Sequence, residues 1–246
     1  MTTNEFREEF DILYNNIDSM ASPGLDDYER SVFLTLAQEK LVKLYMNPMG
    51  NKYKEGFEGS EKRRIDLKEL ITDYKINTQL STTANKISPS SVIYQIPNNI
   101  FQIINEKVLI KDPCSVGKSV VYKSISVIPK THDEYNIQIN NPFKKPNDSK
   151  VWRLDYNSIQ PGVEIVELLS NQQVFEYQIR YVKFPEPIIL STLIDNLSIH
   201  GQTAERTSEL RESMHSEIIR TAVELATLSY KEDSLANLVG VYNNKE

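Results

Sequence analysis

The chain has 246 residues, 39% of them hydrophobic and 25% charged, with a net charge of −6 and a pI near 5.3. That is somewhat leaner than a typical globular core but too rich for a disordered chain, and the length allows one large domain or a helical part and a β part; the acidic balance argues against bulk electrostatic binding of nucleic acid. A single cysteine, Cys114, excludes an internal disulfide framework; with an acidic start unlike a signal peptide and no apolar run of the ~18–20 residues that span a bilayer, a soluble, uncleaved protein made inside a cell is expected.

Thr2-Thr3-Asn4-Glu5 has the form of a capping box, a hydroxyl at the cap and a carboxylate three residues on. Phe6, Phe10, Leu13 and Ile17 follow at helical spacing, so a one-faced helix is expected from about residue 4 to 18. Ala21-Ser22-Pro23-Gly24 breaks it. Asp26-Asp27-Tyr28-Glu29 opens a second helix with acids in its first turn, where the helix dipole favours them. Phe33, Leu36, Ala37, Leu41, Leu44 and Tyr45 give that helix its apolar stripe, and Asn47-Pro48-Met49-Gly50 stops it. Residues 51–59 read as a loop carrying Tyr53 and Phe57. Ser60 is placed to cap a third helix, EKRRIDLKELITDY, whose Glu61-Lys62-Arg63-Arg64 start is either a solvated first turn or an intersubunit salt-bridge patch.

A Ser/Thr/Asn-rich connector from Thr78 to Pro89 leads into strands at Ser91–Ile96, Ile100–Ile110, Ser119–Ile128 and Val151–Tyr156. The last of these sets Trp152, Leu154 and Tyr156 on one face. Gly162–Leu169 and Val174–Lys183 read as a hairpin across Ser170–Gln173. The cleanest pattern in the chain lies in Val174–Pro187, where Phe175, Tyr177, Ile179 and Tyr181 alternate with Glu176, Gln178, Arg180 and Val182. Such period-two alternation means one face on a core and the other toward water or a partner. Pro185 and Pro187 end it. After Ile188–Leu193 comes polar loop, then Thr207 or Ser208 caps a last helix with Leu210, Met214, Ile218, Ala222, Leu225 and Ala226 apolar. The tail KEDSLANLVGVYNNKE is amphiphilic and uncapped, either loose or an arm that orders against a neighbour.

No catalytic constellation emerges. Asp112-Pro113-Cys114-Ser115-Val116-Gly117-Lys118-Ser119 ends like a P-loop, but aspartate stands where the phosphate-binding turn requires glycine, and the next segment reads as a strand. His132-Asp133-Glu134 offers adjacent side chains that point in different directions, with no i+3 or i+4 partner to complete a metal site; Asp133 and Glu134 better suit the cap of a short helical turn. His200 falls in a polar loop, His215 at the edge of the last helix's packed face, and Cys114 has no histidine partner. No cofactor, metal or catalytic residue is expected, and Lys144 and Lys145 alone do not make a nucleic-acid surface.

Three blocks, residues 6–48, 128–156 and 175–190 with 209–226, carry a resemblance that spans most of the chain. Phrases such as THDEY, NPF and IRYVKFPEPI within them resemble a structural protein of crAss-like and related Bacteroidetes phages. More distantly, the order of elements resembles the head-to-tail adaptors, or tail tubular A proteins, of short-tailed phages. The resemblance implies an α+β fold, with N- and C-terminal helices forming a bundle and an antiparallel β-sandwich or barrel-like region inserted between them. The parts would be residues 1–77, 78–200, 201–230 and a C-terminal arm 231–246. It also implies a virion protein without enzymatic activity, assembled in the host cytoplasm. Usually twelve copies form a ring that joins the portal to neighbouring neck or tail rings and passes DNA without sequence-specific binding. A twelve-membered ring would carry on the order of −70 charges, a wall that repels phosphate. Closing a heterologous ring requires two unlike, complementary faces on each copy. The residues expected to supply contacts are Arg63, Arg64, Glu176, Gln178 and Arg180, with Tyr53 and Phe57 of the loop and Leu238, Val241 and Tyr242 of the arm. The competing readings are a tail receptor-binding β module and a nucleotide- or metal-dependent enzyme.

Overall fold

A computed structural model describes residues 1–17, 24–47, 59–80, 86–88, 91–111, 122–156 and 163–230. The chain divides into two compact units: Met1–Leu70 together with the chain from Pro185 onward, and Ile71–Phe184. The first is helical and the second β-rich, so the fold is α+β, with the β-rich unit inserted in sequence between the N- and C-terminal helices.

In the helical unit, α1 (Thr3–Ile17) starts at the expected box: Glu5 N donates to Thr2 Oγ1 and Thr2 N to Glu5 Oε2. Its Phe6, Phe10 and Tyr14, one turn apart, are buried. The α2 helix (Asp27–Met46) starts at the expected acids, and two of them do more than meet the dipole: Asp26 and Glu29 cap it reciprocally. Its buried face is turned from the expected stripe, however. Leu36 and Leu44 are exposed, while Leu34, Ala37, Leu41, Val42, Tyr45 and Met46 are buried together with Ser31, Thr35 and Gln38. The polar three are buried because the extended segment after Pro185 lies on them. The last helix, α5 (Glu212–Tyr230), packs on both α1 and α2 through Met214, Ile218, Ile219, Ala222, Val223 and Ala226, which forms the bundle. It begins later than expected. Ser208 is no cap; its hydroxyl accepts from Leu210 N and donates to Gln38 Oε1 at 2.6 Å.

The expected third helix is only half a helix. It ends as α3 (Glu61–Asp66), Lys68–Leu70 forms a 3-10 turn, and Ile71–Ile76 is the strand β1; Ser60 makes no side-chain cap bond. Ile65, Leu70, Ile71 and Tyr74 fit a helical stripe, but Thr72, Tyr74 and Ile76 also alternate with Asp73 and Lys75. Antiparallel pairing with a distant strand decides for the second pattern.

Six further strands follow: β2 (Val92–Ile96), β3 (Ile100–Lys111), β4 (Tyr122–Pro129), β5 (Val151–Tyr156), β6 (Glu164–Leu169) and β7 (Val174–Lys183). They form one curled sheet in the order β1-β7-β3-β4-β5-β6-β2. It is mixed and not wholly antiparallel, since β4 and β5 run parallel. The short helix α4 (His132–Gln138) sits between those two strands in sequence, capped by Thr131 and Glu134. The expected β6–β7 hairpin does not form: β6 pairs with β2 and β5, and β7 with β1 and β3. Ser170 Oγ accepts from Gln172 N, and Asn171 Nδ2 donates to Pro146 O at 2.9 Å, which ties the connection to another loop.

All seven strands feed one apolar cluster, including Ile76 of β1, Tyr94 of β2, Val108, Ile125, Val151, Val166 and Tyr177. Adjacent strands lie ~4.8 Å apart, so a flat seven-stranded sheet would hold its edges some 29 Å apart. Sharing one core therefore requires the curl, which gives a half-barrel with its edges at β1 and β2. Outside the curl, Trp152, Leu154 and Leu169 form a smaller cluster, covered by Tyr135 and Ile139 of the α4 region.

Candidate oligomer and partner surfaces

The face of β7 turned away from the core carries Glu176, Gln178 and Arg180, while Tyr177, Ile179 and Tyr181 are buried as the alternation demands. Phe175 departs from it. A register shift pairs Leu109 with Glu176 but Ile110 with Val174, so Val174 takes the inward place. Phe175 is left 50% exposed against Tyr122, ring centroids 4.5 Å apart.

The three polar residues do not stand alone. Asp73 of β1 is opposite Arg180, and Lys75 is opposite Gln178. On the other flank, Asn105 of β3 is opposite Arg180 and Lys107 is opposite Gln178. These residues line a shallow groove of about 350 Å³. Arg180 reaches toward Asp73 at 4.0 Å, both well exposed, and the amide of Gln178 meets the carboxylate of Glu176. Lys75 and Lys107 flank Gln178 with no carboxylate in their row. Asp73 and Lys75 are hidden in the sequence because residues 61–74 read as helix, although 72–76 also alternate with period two; Asn105 and Lys107 lie on an expected strand, and only its pairing with β7 brings them to this face.

Arg63 and Arg64 separate. Arg64 is exposed. Arg63 is half-buried, its guanidinium 5.5 Å from the centre of the Tyr45 ring and its Nη1 donating to Tyr45 O at 3.5 Å, so it anchors α3 to α2. Tyr53 and Phe57, the arm residues Leu238, Val241 and Tyr242, and the P-loop-like stretch 112–119 lie outside the described residues. His132 Nε2 is 3.0 Å from Asp155 O, on the sheet that α4 covers. Among the described residues no group of three or more His, Cys, Asp or Glu is arranged to hold a metal, and no helix is long and apolar enough to cross a membrane.

Two features hold these surfaces in place. In the helical unit, the extended chain after Pro185 is bound to α2 by side chains. Gln38 Nε2 donates to Glu186 O, Thr35 Oγ1 both accepts from Ile188 N and donates to Ile188 O, and Leu190 N donates to Ser31 Oγ. On its other side, Ile189 pairs with Arg206 through backbone bonds of 2.8 and 2.9 Å. In the β unit, Glu106 of β3 accepts from Tyr177 Oη at 2.6 Å and pairs with Arg153 of β5, whose Nε lies 3.1 Å from Asp155. Burial pushes the Tyr177 hydroxyl far up, with the Glu106 charge adding to it. Burial works against the charge on Arg153, but the Glu106 and Asp155 carboxylates outweigh it and hold the guanidinium ionised.

The phage tail ring protein 3/4 family model matches residues 1–238. Ring protein 4/5 of Bacteroides phage crAss001 is 38% identical over 244 residues, 97% of each chain. Ring protein 3 of the same phage is 34% identical over 232 residues, 93% of this chain and 96% of that one. The chain belongs to the crAss phage tail ring protein 3/4 family, structural components of the virion.

Proposed function

We propose that copies of this chain close into a ring of the neck or tail, stack on neighbouring ring proteins below the portal, and line the passage for DNA. The protein performs no chemistry in this reading; its work is oligomerisation and docking. The observation that carries it is full-length similarity to two proteins of one phage that bear the names of different rings. A set of related rings suits a stack in which each layer docks on a homologous one. The dodecameric order, the contact with the portal and assembly in the host cytoplasm belong to the same proposal.

Two surfaces fit it. The outer face of β1, β7 and β3 contains Glu176, Gln178 and Arg180 on a rigid sheet. The segments expected to reach adjacent rings are the loop with Tyr53 and Phe57 and the arm 231–246 with Leu238, Val241 and Tyr242; Arg64, exposed on α3, adds a contact there. Arg63, held on Tyr45, supports that position from behind.

Infection with the gene disrupted tests the reading. The expected product is filled capsids without attached tails, restored by supplying the protein in trans; infectious tailed particles without it would contradict the proposal. A chain lacking Asp233–Glu246 should keep its unfolding midpoint and lose co-assembly with the adjacent ring. Unchanged co-assembly would remove the arm from the account.

A further inference from the structure

The β unit and the helical unit carry opposite charge. Residues 71–184 hold 13 of the 28 basic and 10 of the 34 acidic residues, a balance of +3, which leaves −9 for the remainder of the chain. Four of the thirteen basic residues share one open surface. Lys75, Lys107, Lys111 and Arg180 are exposed on one sheet face against Asp73 and Glu176, which leaves that face at +2; Arg180 reaches toward Asp73, and the neutral amide of Gln178 meets Glu176 without cancelling its charge. Lys75 and Lys107 stand in one row across β1, β7 and β3 with only Gln178 between them. Phe175 and the 42% exposed Tyr122 add an apolar patch at the end of this face.

The complementary surface is on α1. Its exposed charges are Glu5, Glu8 and Glu9, all negative, while Arg7 is bound by Asp27 at 2.9 Å and Asp11 by Arg30. Ile12, 59% exposed, lies one turn beyond Glu8 on the same helix face. An acidic ridge bearing one exposed aliphatic side chain thus matches a cationic groove bearing an aromatic pair. The start of α3 does not match: Glu61-Lys62-Arg63-Arg64 is itself net positive and would meet the lysine row as like charge.

We infer that the cationic outer face of β1, β7 and β3 in one copy docks on the acidic face of α1 in the next copy. This heterologous contact repeats around the ring, and it rests on the ring reading above. The groove's charge is neutralised by protein and not by DNA. Opposite charges steer the copies together and reject the reversed orientation, and the contact weakens as salt rises.

Charge reversal tests it in particles made with variant chains. Lys75→Glu with Lys107→Glu should lower incorporation into rings by roughly tenfold or more, and Glu8→Lys with Glu9→Lys in the same chain should restore it. An independent measurement does not depend on the folding of those variants. Two single-cysteine chains, Glu8→Cys and Lys107→Cys, each on a Cys114→Ser background, should form a disulfide when mixed and assembled, and neither should cross-link with itself. Rings that survive the reversal and give no mixed cross-link overturn the docking and leave the ring reading standing. Incorporation lost without rescue overturns it as well. So does a duplex DNA fragment that binds the wild-type ring and is released by the Lys75→Glu, Lys107→Glu change while the ring persists. Absence of any ring with the wild-type chain removes both readings.

Discussion

A single hydroxyl, that of Thr35, satisfies both backbone groups of Ile188 in a buried position. Ser31, Thr35 and Gln38 recur every three or four residues on α2, an advance of about 4.5–6 Å, and meet alternate residues of an extended chain, whose two-residue step is about 6.7 Å. Helix side chains, the Arg206 backbone and the Glu209 carboxylate, which accepts from Glu186 N, take up most of the polar groups of this segment. Thr35→Val keeps the shape and removes both bonds, leaving a buried N–H and C=O without partners. The expected loss is about 2–3 kcal/mol in denaturant unfolding; a loss below about 0.5 kcal/mol would mean that the segment is not held this way. His215 is a second residue whose setting has a measurable consequence. It is buried, its ring 5.0 Å from Phe6, with Nε2 at 2.9 Å from Leu210 O and Nδ1 at 3.3 Å from Met1 N. Burial holds its pKa below the ordinary histidine value; the Leu210 carbonyl and the nearby Glu212 pull upward without reversing this, and the Met1 ammonium pushes further down. The unfolded chain therefore takes up the proton first as pH falls through about 6.5. Stability owed to this residue is complete above that value and declines below it. The unfolding midpoint should drop between about pH 7.5 and 5.5, and His215→Gln should flatten that part of the profile. An equal slope in the variant would contradict the assignment.

At the scale of elements, the half-barrel is tied through its interior by one polar group. Glu106, Arg153 and Tyr177 join β3, β5 and β7, and β4 lies between the first two in the sheet. Glu106→Gln leaves the Arg153 guanidinium with Asp155 alone at the rim, and the expected cost is about 3 kcal/mol. Tyr177→Phe removes one hydrogen bond to a charged group and should cost about 1.5 kcal/mol. The reverse order of the two would contradict a charge-centred tie. Much of this architecture was legible from the residues. Val151–Tyr156 is read with its observed bounds, the box at Thr2 follows from cap chemistry alone, and so do the start of α2 from its first-turn acids and a short helical turn at Asp133-Glu134, where Thr131 and not Asp133 partners Glu134 in the cap. Strand partnership was not. Four residues between β6 and β7 suit a hairpin, yet the choice of partner lies in which strands share the Tyr94–Tyr177 core, a long-range matter. The segment 71–76 satisfies two periods at once, and only its pairing with β7 separates them. The same ambiguity kept Lys75 and Asp73 out of the candidate surface, while Gln178 and Arg180 were found because their strand alternates so cleanly.

For the whole molecule, the charge division of +3 and −9 is the property that bears most on assembly. A net charge of −6 suggests a uniformly acidic body, whereas the folded chain has one unit of each sign. Copies arranged head to tail place unlike charge at every junction, and the total still leaves the ring acidic toward DNA. Ring stability should fall as ionic strength rises from about 0.05 to 0.5 M, because exposed charge pairs are screened over ~10 Å or less at 0.1 M and above. Native mass spectrometry or sedimentation across that range reads it, and salt-independent oligomers would point to a purely apolar interface. The central claim, that this chain is a ring of the virion, is tested most directly by a symmetric electron-microscopy reconstruction of the neck and tail. The chain's density should appear as a closed ring around the DNA channel, with the β1–β7–β3 face of each copy against its neighbour. Density for the chain at a fibre tip, or none anywhere in the particle, would contradict it.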